Sequence, residues 1–141
     1  MTKKGPKSLF TRNLRNLEDR PNKREPQVVI SFKQLDPNQG QSLENWQESK
    51  ILALAITKLK GLCECTVIQA LSQQLIKVYK EGTWPENTDF KHPHHVPQDV
   101  RWSSMHVKGK PCVIGYFEDN IFHIVFLDKE HEFWKTEKKN T

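Results

Sequence analysis

The sequence predicts one α+β domain, in which two helices pack on one face of a β-sheet. Residues 111–134 are rich in Val, Ile, Phe and Tyr and contain a turn signal, which is typical of a β-hairpin. Residues 42–80 place apolar side chains every three or four positions, which is typical of amphipathic helices. Because a helix with one apolar face has to bury it against another element, we expect one domain over residues 27–141, after an N-terminal arm at 1–26.

The composition limits the possible classes of protein. A chain of 141 residues can form one domain with its own core. It contains no apolar run of the roughly 18–20 residues that a membrane-spanning helix needs, and no apolar segment follows its basic N-terminus as in a secretory signal. We therefore expect a cytoplasmic protein that does not enter a membrane. Three cysteines, an odd number, indicate free thiols in a reducing compartment, with a metal site as the alternative.

The net charge of +5 lies entirely in the N-terminal arm. Residues 1–26 contain eight basic and three acidic residues, whereas residues 27–141 contain fourteen of each sign. The arm, with its prolines and many charges, is predicted to be largely flexible. The overall charge gives no evidence that the neutral domain binds nucleic acid, although a local basic patch would suffice for binding.

The first predicted elements are a strand and a pair of helices. Residues 27–35 are predicted to form a strand, which ends at the turn-forming run that follows it. A helix is predicted over residues 42–62, with Ser42 as its N-cap. A second helix, capped by Thr66, is predicted over residues 66–80. The short connection between them favours an antiparallel helical hairpin.

The segment 83–99 is predicted to be a long ordered loop, because it has three prolines and no regular apolar period. Long loops in compact domains are often functional. This loop contains His92, His94 and His95, whose side chains are of the type that bind zinc. Three roles are open for them: a metal site, part of an active or recognition site, and plain exposure to solvent.

The last three strands are predicted to form an antiparallel meander. Residues 100–108 form its first strand, on which Met105 is expected to pair with Val113. The hairpin that follows turns at Asp119 and Asn120, which tolerate the positive φ that a two-residue turn needs. Directly opposed residues share one face of a sheet. The face predicted to meet the helices carries Val113, Phe117, Phe122, Ile124 and Phe126. The opposite face carries Cys112, Ile114, Tyr116, His123, Val125 and Leu127.

The face of the sheet opposite the helices is predicted to be open and to carry aromatic and basic side chains. These are Trp102, His106, Tyr116 and His123, with Lys129 and His131 at the end of the last strand and Arg101, Lys108 and Lys110 at the margins. Bases stack on aromatic rings, cations bind phosphate and histidines transfer protons near neutral pH, so this set suits RNA. The alternatives are a solvated face and a face that binds a protein partner.

The predicted order of elements and the C-terminal pattern resemble a known family. The run CVIGYFEDNIF at 112–122 is similar to the penultimate hairpin of the RelE/ParE-like toxins of bacterial toxin–antitoxin modules, and the ending FLDKEHEFW at 126–134 is similar to their last strand. The resemblance covers residues 27–135. It implies a small endoribonuclease that cleaves mRNA, in many members on the ribosome, and that an antitoxin protein inhibits. It also implies that no metal or other cofactor is needed.

The resemblance further implies roles for side chains at the matching positions. In such an enzyme a base activates the ribose 2′-hydroxyl, cations stabilise the phosphorane and an acid protonates the leaving 5′-oxygen. The catalytic candidates are His131, His123, Lys129 and Arg101, of which the two histidines are the acid–base pair. The RNA-binding candidates are Lys108, Lys110, Tyr116, Trp102, His106 and Trp134.

The chain also departs from the family pattern. Arg101 is the one arginine of the predicted meander, where the family usually carries several, and the domain is neutral, where ribosome-dependent members tend to be basic. A gyrase-directed or inactive relative therefore stays open. Two other classes also stay open: a non-catalytic protein that binds a protein or nucleic acid through the sheet face and the basic arm, and a metal-dependent enzyme that uses the loop histidines.

Overall fold

A computed structural model describes residues 25–80 and 83–135 of the chain. In this part the helices and strands follow one another as β1 (Val29–Ser31), α1 (Leu43–Glu48), α2 (Leu52–Leu62), α3 (Val67–Ser72), β2 (Lys77–Val78), β3 (Trp102–His106), β4 (Cys112–Glu118) and β5 (Ile121–Asp128). The predicted α+β class is confirmed. Most of the predicted flexible arm, residues 1–24, lies outside the described residues.

The five strands form one sheet in the order β1-β5-β4-β3-β2. The predicted antiparallel meander is present as β3, β4 and β5. β1 is shorter than the predicted strand 27–35 and pairs in parallel with β5, so the sheet is mixed. At the other edge β2, which the sequence pattern does not predict, pairs antiparallel with β3.

The predicted register of the meander is confirmed over most of its length. Met105 pairs with Val113, as expected for the first two strands. On the hairpin Tyr116 pairs with His123, and Asp119 in the turn has φ 56°. The turn therefore lies at Asp119 and Asn120, as the sequence predicts. Aspartate suits this position because it tolerates the left-handed conformation.

A β-bulge overturns part of the predicted face assignment. The pairing follows the prediction from the turn as far as Gly115. Beyond it Ile114 pairs with Phe126, which leaves Val125 as an extra residue on β5. Phe126 consequently packs in the core opposite the helices and Leu127 packs in the helix-side core, so the prediction for these two residues is wrong.

The predicted helix 42–62 is two helices, α1 and α2, separated by a break at Lys50. Lys50 has φ 64°. Its N–H donates to the carbonyl of Gln47, and the N–H of Ile51 donates to that of Trp46. This pair of bonds defines a Schellman motif, which ends a helix. The left-handed position of this motif usually holds Gly. Because this chain has a lysine there, the sequence does not predict the break.

The predicted helix 66–80 ends early for the same reason. Its C-terminal part contains Gln74, which has φ 60°. The N–H of Gln74 donates to the carbonyl of Leu71, and the N–H of Leu75 donates to that of Ala70. After this second Schellman motif the chain is extended and forms β2 at the sheet edge instead of further helical turns.

Apolar side chains are buried on both faces of the sheet. The helices cover one face, as predicted, and the large side chains buried there include Trp46, Leu59, Leu62, Ile76, Phe122 and Ile124. Each helix thereby hides the apolar face that it cannot bury alone.

The face of the sheet opposite the helices is covered, so the prediction that it is open is wrong. Trp84, Phe90 and Val96 of the long loop pack on this face, together with Phe133 from the chain after β5. As a result Trp102 is only 1% exposed. The alternation of residues along a strand shows on which face a side chain lies, but it does not show whether a loop covers that face.

We expect Trp102→Leu to destabilise the protein by about 2–3 kcal/mol. The Trp102 ring lies nearly parallel to that of Phe126, with centroids 5.8 Å apart, and meets Trp84 edge-on at 5.1 Å. Leucine would lose these contacts and leave a cavity. Trp134→Leu is the matched control, since that ring is only half-buried, and it should cost less than half as much. Equal losses in urea unfolding would contradict a second core built around Trp102.

Candidate active site

Two histidines from separate elements meet at one end of the sheet. His106 ends β3, and His131 lies in the turn after β5. Their ring centroids are 5.2 Å apart. Both line a shallow pocket of about 230 Å³, together with Lys77, Ser104 and Trp134. One predicted catalytic residue, His131, is thus brought together with two predicted RNA-binding residues, His106 and Trp134.

A buried carboxylate fixes the turn that carries His131. Asp128, the last residue of β5, is 2% exposed. Its carboxylate accepts the N–H groups of Glu132 at 2.9 Å and of Phe133 at 2.8 Å. His131 has φ 63°, and the buried Phe133 anchors the chain beyond it in the second core. The turn therefore holds the His131 imidazole at the pocket.

The turn between β3 and β4 orients His106. Its Nδ1 lies 3.1 Å from the carbonyl oxygen of Gly109, which has φ 71° in that turn. A carbonyl oxygen can only accept a hydrogen bond, so Nδ1 carries the hydrogen. In the neutral ring the lone pair is then on Nε2.

Cys112 lies beside the two histidines. It pairs with His106 across β3 and β4 and with Asp128 across β4 and β5. One donor atom from each of His106, Cys112 and His131 lies within 4.8 Å of the others. Burial, and then the charge of Asp128, raises the pKa of the Cys112 thiol to about 12. At neutral pH the side chain is therefore a thiol and not a nucleophilic thiolate.

Of the lysines near this end of the sheet, Lys77 lines the pocket, whereas Lys110 and Lys129 lie outside its lining. Lys110 pairs with Glu130 at 3.5 Å, and because both side chains are more than half exposed, this pair is weak enough to exchange for a phosphate. Lys129, a predicted catalytic residue, instead donates from Nζ to the hydroxyl of Ser49 at 2.9 Å and so lies against the end of α1.

His123, the other predicted acid–base residue, is not brought together with His131. It lies near the hairpin turn, where its ring stacks on Tyr116 at 4.9 Å and its Nε2 is 2.9 Å from a carboxylate oxygen of Glu118. From His123 to the end of β5 at Asp128 the strand runs about 15 Å at its usual rise. His123 therefore belongs to a separate, largely buried group at the opposite end of the hairpin.

Four further predicted residues do not line the pocket. Trp102 and Tyr116 are 1% and 6% exposed, so neither ring is free to stack on a base in this conformation. Burial, and then the charge of Glu118, raises the pKa of the Tyr116 phenol. Arg101 and Lys108 are exposed residues on either side of β3. The RNA-binding and catalytic roles of these residues stay predictions.

Lys77 and Ser104, which line the pocket, and Cys112, which lies beside it, are not among the site residues that the sequence predicts. Lys77 falls inside the predicted helix, and its place at the pocket depends on the early end of α3 and on β2. Ser104 pairs with Lys77 across β2 and β3. The alternation of β3, which puts Ser104 and His106 on one face, is the signal that identifies Ser104. Cys112 is assigned to the correct face of the sheet, but nothing in its surroundings in the sequence marks it.

The loop histidines do not form a metal site of their own in the described part of the chain. The ring of His92 packs against those of Trp84 and Trp102, at 5.0 and 5.5 Å. The Nε2 of His95 is 2.8 Å from a backbone carbonyl oxygen. Within residues 25–80 and 83–135 one group of three ligand-type atoms converges, and it contains no loop histidine.

Comparisons with protein-family models, with curated proteins and with solved structures found no match. None of the described helices is long and apolar enough to cross a membrane. The resemblance to the toxins of toxin–antitoxin modules stays a prediction.

Proposed function

We propose that the protein is a metal-independent endoribonuclease that cleaves mRNA at the His106–His131 pocket. The observation that carries this proposal is the convergence of two imidazoles from separate elements, with Lys77 beside them, at one surface pocket. Acid–base cleavage of RNA needs two proton-transfer groups at one phosphodiester and a cation that stabilises the charge on it.

The proposed reaction is a transesterification within the RNA chain. The Nε2 of His106 takes the proton of a ribose 2′-hydroxyl as that oxygen forms a bond to the adjacent phosphorus. The bond from phosphorus to the 5′-oxygen breaks, and the His131 imidazolium gives a proton to that oxygen. The products are a 2′,3′-cyclic phosphate and a free 5′-hydroxyl.

The spacing of the rings suits this reaction. One ring nitrogen of His106 and one of His131 lie within 4.8 Å of each other, so the two rings are close enough for both to contact one phosphate group. Each would do so through a hydrogen bond of about 2.6–3.2 Å. Lys77 in the same pocket supports the negative charge of the phosphorane. Lys110 lies outside the pocket lining, and in this proposal it exchanges its weak pair with Glu130 for a phosphate of the RNA backbone.

The pocket favours single-stranded RNA. Trp134 is half-buried and lines the pocket, so part of its ring is available to stack on a base next to the cleaved bond. Bases in a duplex are already stacked on each other and are less accessible to such a ring. Residues 27–141 contain fourteen basic and fourteen acidic residues, so the attraction to the RNA backbone has to come from cations at the pocket and not from the net charge of the domain.

A second candidate function is protein binding without catalysis. An apolar pocket of about 450 Å³ adjoins the first one and is lined in part by Leu54, Leu75, Ile76 and Met105. Leu75 is 41% exposed there, and an amphipathic segment of a partner protein would bury it. Because His106 borders both pockets, an antitoxin-like partner bound there would also cover the proposed nuclease site.

RNA cleavage by the purified protein tests the proposal. In the presence of a chelator the protein should cut single-stranded mRNA, alone or on the ribosome, and leave 2′,3′-cyclic phosphate ends. Induced expression should also stop the growth of the expressing cells. If the mRNA stays intact both alone and on the ribosome, while a protein partner binds the apolar pocket, protein binding without catalysis replaces the nuclease as the function.

A further inference from the structure

The buried thiol of Cys112 has no part in the proposed reaction, yet it lies against both histidines. His106 belongs to β3, Cys112 to β4, and His131 to the turn after β5. Three neighbouring segments thus each supply one ligand-type atom, and these atoms lie within 4.8 Å of one another. We infer that these three side chains bind a single zinc ion.

The donor set identifies the kind of ion. Two imidazole nitrogens and one sulfur are typical ligands of Zn²⁺, and of Co²⁺ in its place, whereas Mg²⁺ and Ca²⁺ prefer oxygen. Zinc in proteins is usually tetrahedral, so three protein ligands leave one position for water or a bound molecule. Two of the three ligands, His106 and His131, line the surface pocket, so an ion would reach the site from there.

Hydrogen bonds around the three side chains place them beside one another and leave a lone pair of His106 available to zinc. The carbonyl of Gly109 fixes the hydrogen of His106 on Nδ1, which leaves Nε2 for a metal ion. Ligating histidines almost always make this type of bond with their other nitrogen. Asp128 fixes the turn of His131 through two backbone N–H groups. The Cys112 thiol is placed by its hydrogen bond to the carbonyl of Lys110, at 3.3 Å.

The donor atoms have to move only a short way to bind the ion. Zn–N bonds of about 2.0–2.1 Å and a Zn–S bond of about 2.3 Å place tetrahedral ligand atoms roughly 3.3–3.7 Å apart. Atoms that lie within 4.8 Å of one another reach this spacing through movements of about 1 Å. His106 is exposed and His131 half-buried, so small rotations of the two rings supply this movement.

The ion also has to displace the proton of the Cys112 thiol. The charge of a bound zinc ion replaces that of the proton, and a coordinating thiol is deprotonated outright. Zinc binding therefore releases a proton and converts a buried neutral thiol into a metal-bound thiolate.

Bound zinc would switch off the proposed nuclease. The ion occupies the lone pairs of His106 and His131, so neither ring can transfer a proton to or from RNA. This inhibitory effect rests on the proposed function, whereas the binding of zinc does not.

Cobalt spectroscopy and zinc calorimetry on the full 141-residue chain test the site. Co²⁺ should give a near-ultraviolet thiolate-to-cobalt band, which Cys112→Ser should abolish. His131→Asn should weaken Zn²⁺ binding by at least about 100-fold, since loss of even an outer-shell partner costs about 10–100-fold. Cys63→Ser and His94→Ala remove a half-buried thiol and an exposed imidazole outside the cluster, and both variants should bind like the wild type.

Two results would overturn the site: a wild-type protein without the thiolate band, or a zinc affinity that neither Cys112→Ser nor His131→Asn changes. Cys112→Ser is nearly isosteric and His131→Asn lies in a surface turn, so both variants should retain the fold. If the wild type binds zinc but never cleaves RNA, the proposed function fails and the zinc site stands. If the wild type cleaves RNA and bound zinc does not inhibit cleavage, His106 and His131 do not serve both the nuclease reaction and zinc binding.

Discussion

His131→Asn is expected to lower the rate of RNA cleavage by about 10²–10⁴-fold. Asparagine cannot exchange a proton near neutral pH, but it tolerates the φ of 63° at this position better than alanine does. The fold and the binding of RNA should therefore persist, and the loss should appear in the chemical step. Single-turnover cleavage of a labelled RNA with enzyme in excess measures that step.

His94→Asn is the matched control for this experiment. His94 is exposed on the long loop and lies outside the pocket, so this variant should keep full activity. His106→Ala should lose about as much as His131→Asn, and the double variant should lose little more, because the two rings act as a unit. A folded His131→Asn protein as active as His94→Asn would contradict the proposed role.

Gly115→Ala is expected to destabilise the protein by at least about 4 kcal/mol. A β-carbon at residue 115 would lie 2.0 Å from the carbonyl oxygen of His123 and 2.9 Å from its carbonyl carbon. Both are backbone atoms of the paired strand, so no side-chain movement relieves the overlap. β4 and β5 would have to separate beside the bulge, which urea unfolding would record as a lower free energy of unfolding.

Gly61→Ala makes the same chemical change where there is room for it. Apart from its chain neighbours and its own helix backbone, no atom of the described residues lies within 4 Å of a β-carbon built at Gly61, near the end of α2. Alanine is the better helix former, so this variant should gain up to about 0.5–1 kcal/mol. If Gly115→Ala unfolds as the wild type does, the close pairing of Gly115 with β5 is wrong.

The meander was the part of the fold best predicted from the sequence. Strong alternation and the turn at Asp119 fixed the register, because a slip by one residue would expose the whole core face. Strand alternation gives the wrong face only beyond Gly115. There the bulge places Phe126 opposite the helices and Leu127 on the helix side. A glycine within a strand has several uses, so its presence alone does not predict a bulge.

The errors in the helices have a common physical cause. Lys50 and Gln74 adopt a left-handed conformation that helix ends usually give to glycine. The sequence does show one accompanying signal, since Ile51 and Leu75 supply the apolar residue that often follows such an end. This signal at Leu75 favours a helix end at Gln74, which would leave Lys77 outside the helix and free to join a strand.

The candidate site was predicted in part and for an incomplete reason. The sequence predicts both His106 and His131 as site residues, but as members of an open sheet face that the long loop in fact covers. Their contact depends on the turn that Asp128 fixes after β5. That turn reverses the chain by backbone hydrogen bonds to one carboxylate, and strand alternation carries no information about it.

Substitution of a single 2′-hydroxyl in the RNA tests the proposed nuclease most directly. The wild-type protein is incubated with an RNA that it cuts and with the same RNA carrying 2′-deoxyribose on the 5′ side of the cut. We expect cleavage of the first RNA to a 2′,3′-cyclic phosphate and no cleavage at the altered position of the second. Cleavage at the deoxyribose position, or no cleavage of any all-ribose RNA, would contradict the proposed transesterification at His106 and His131.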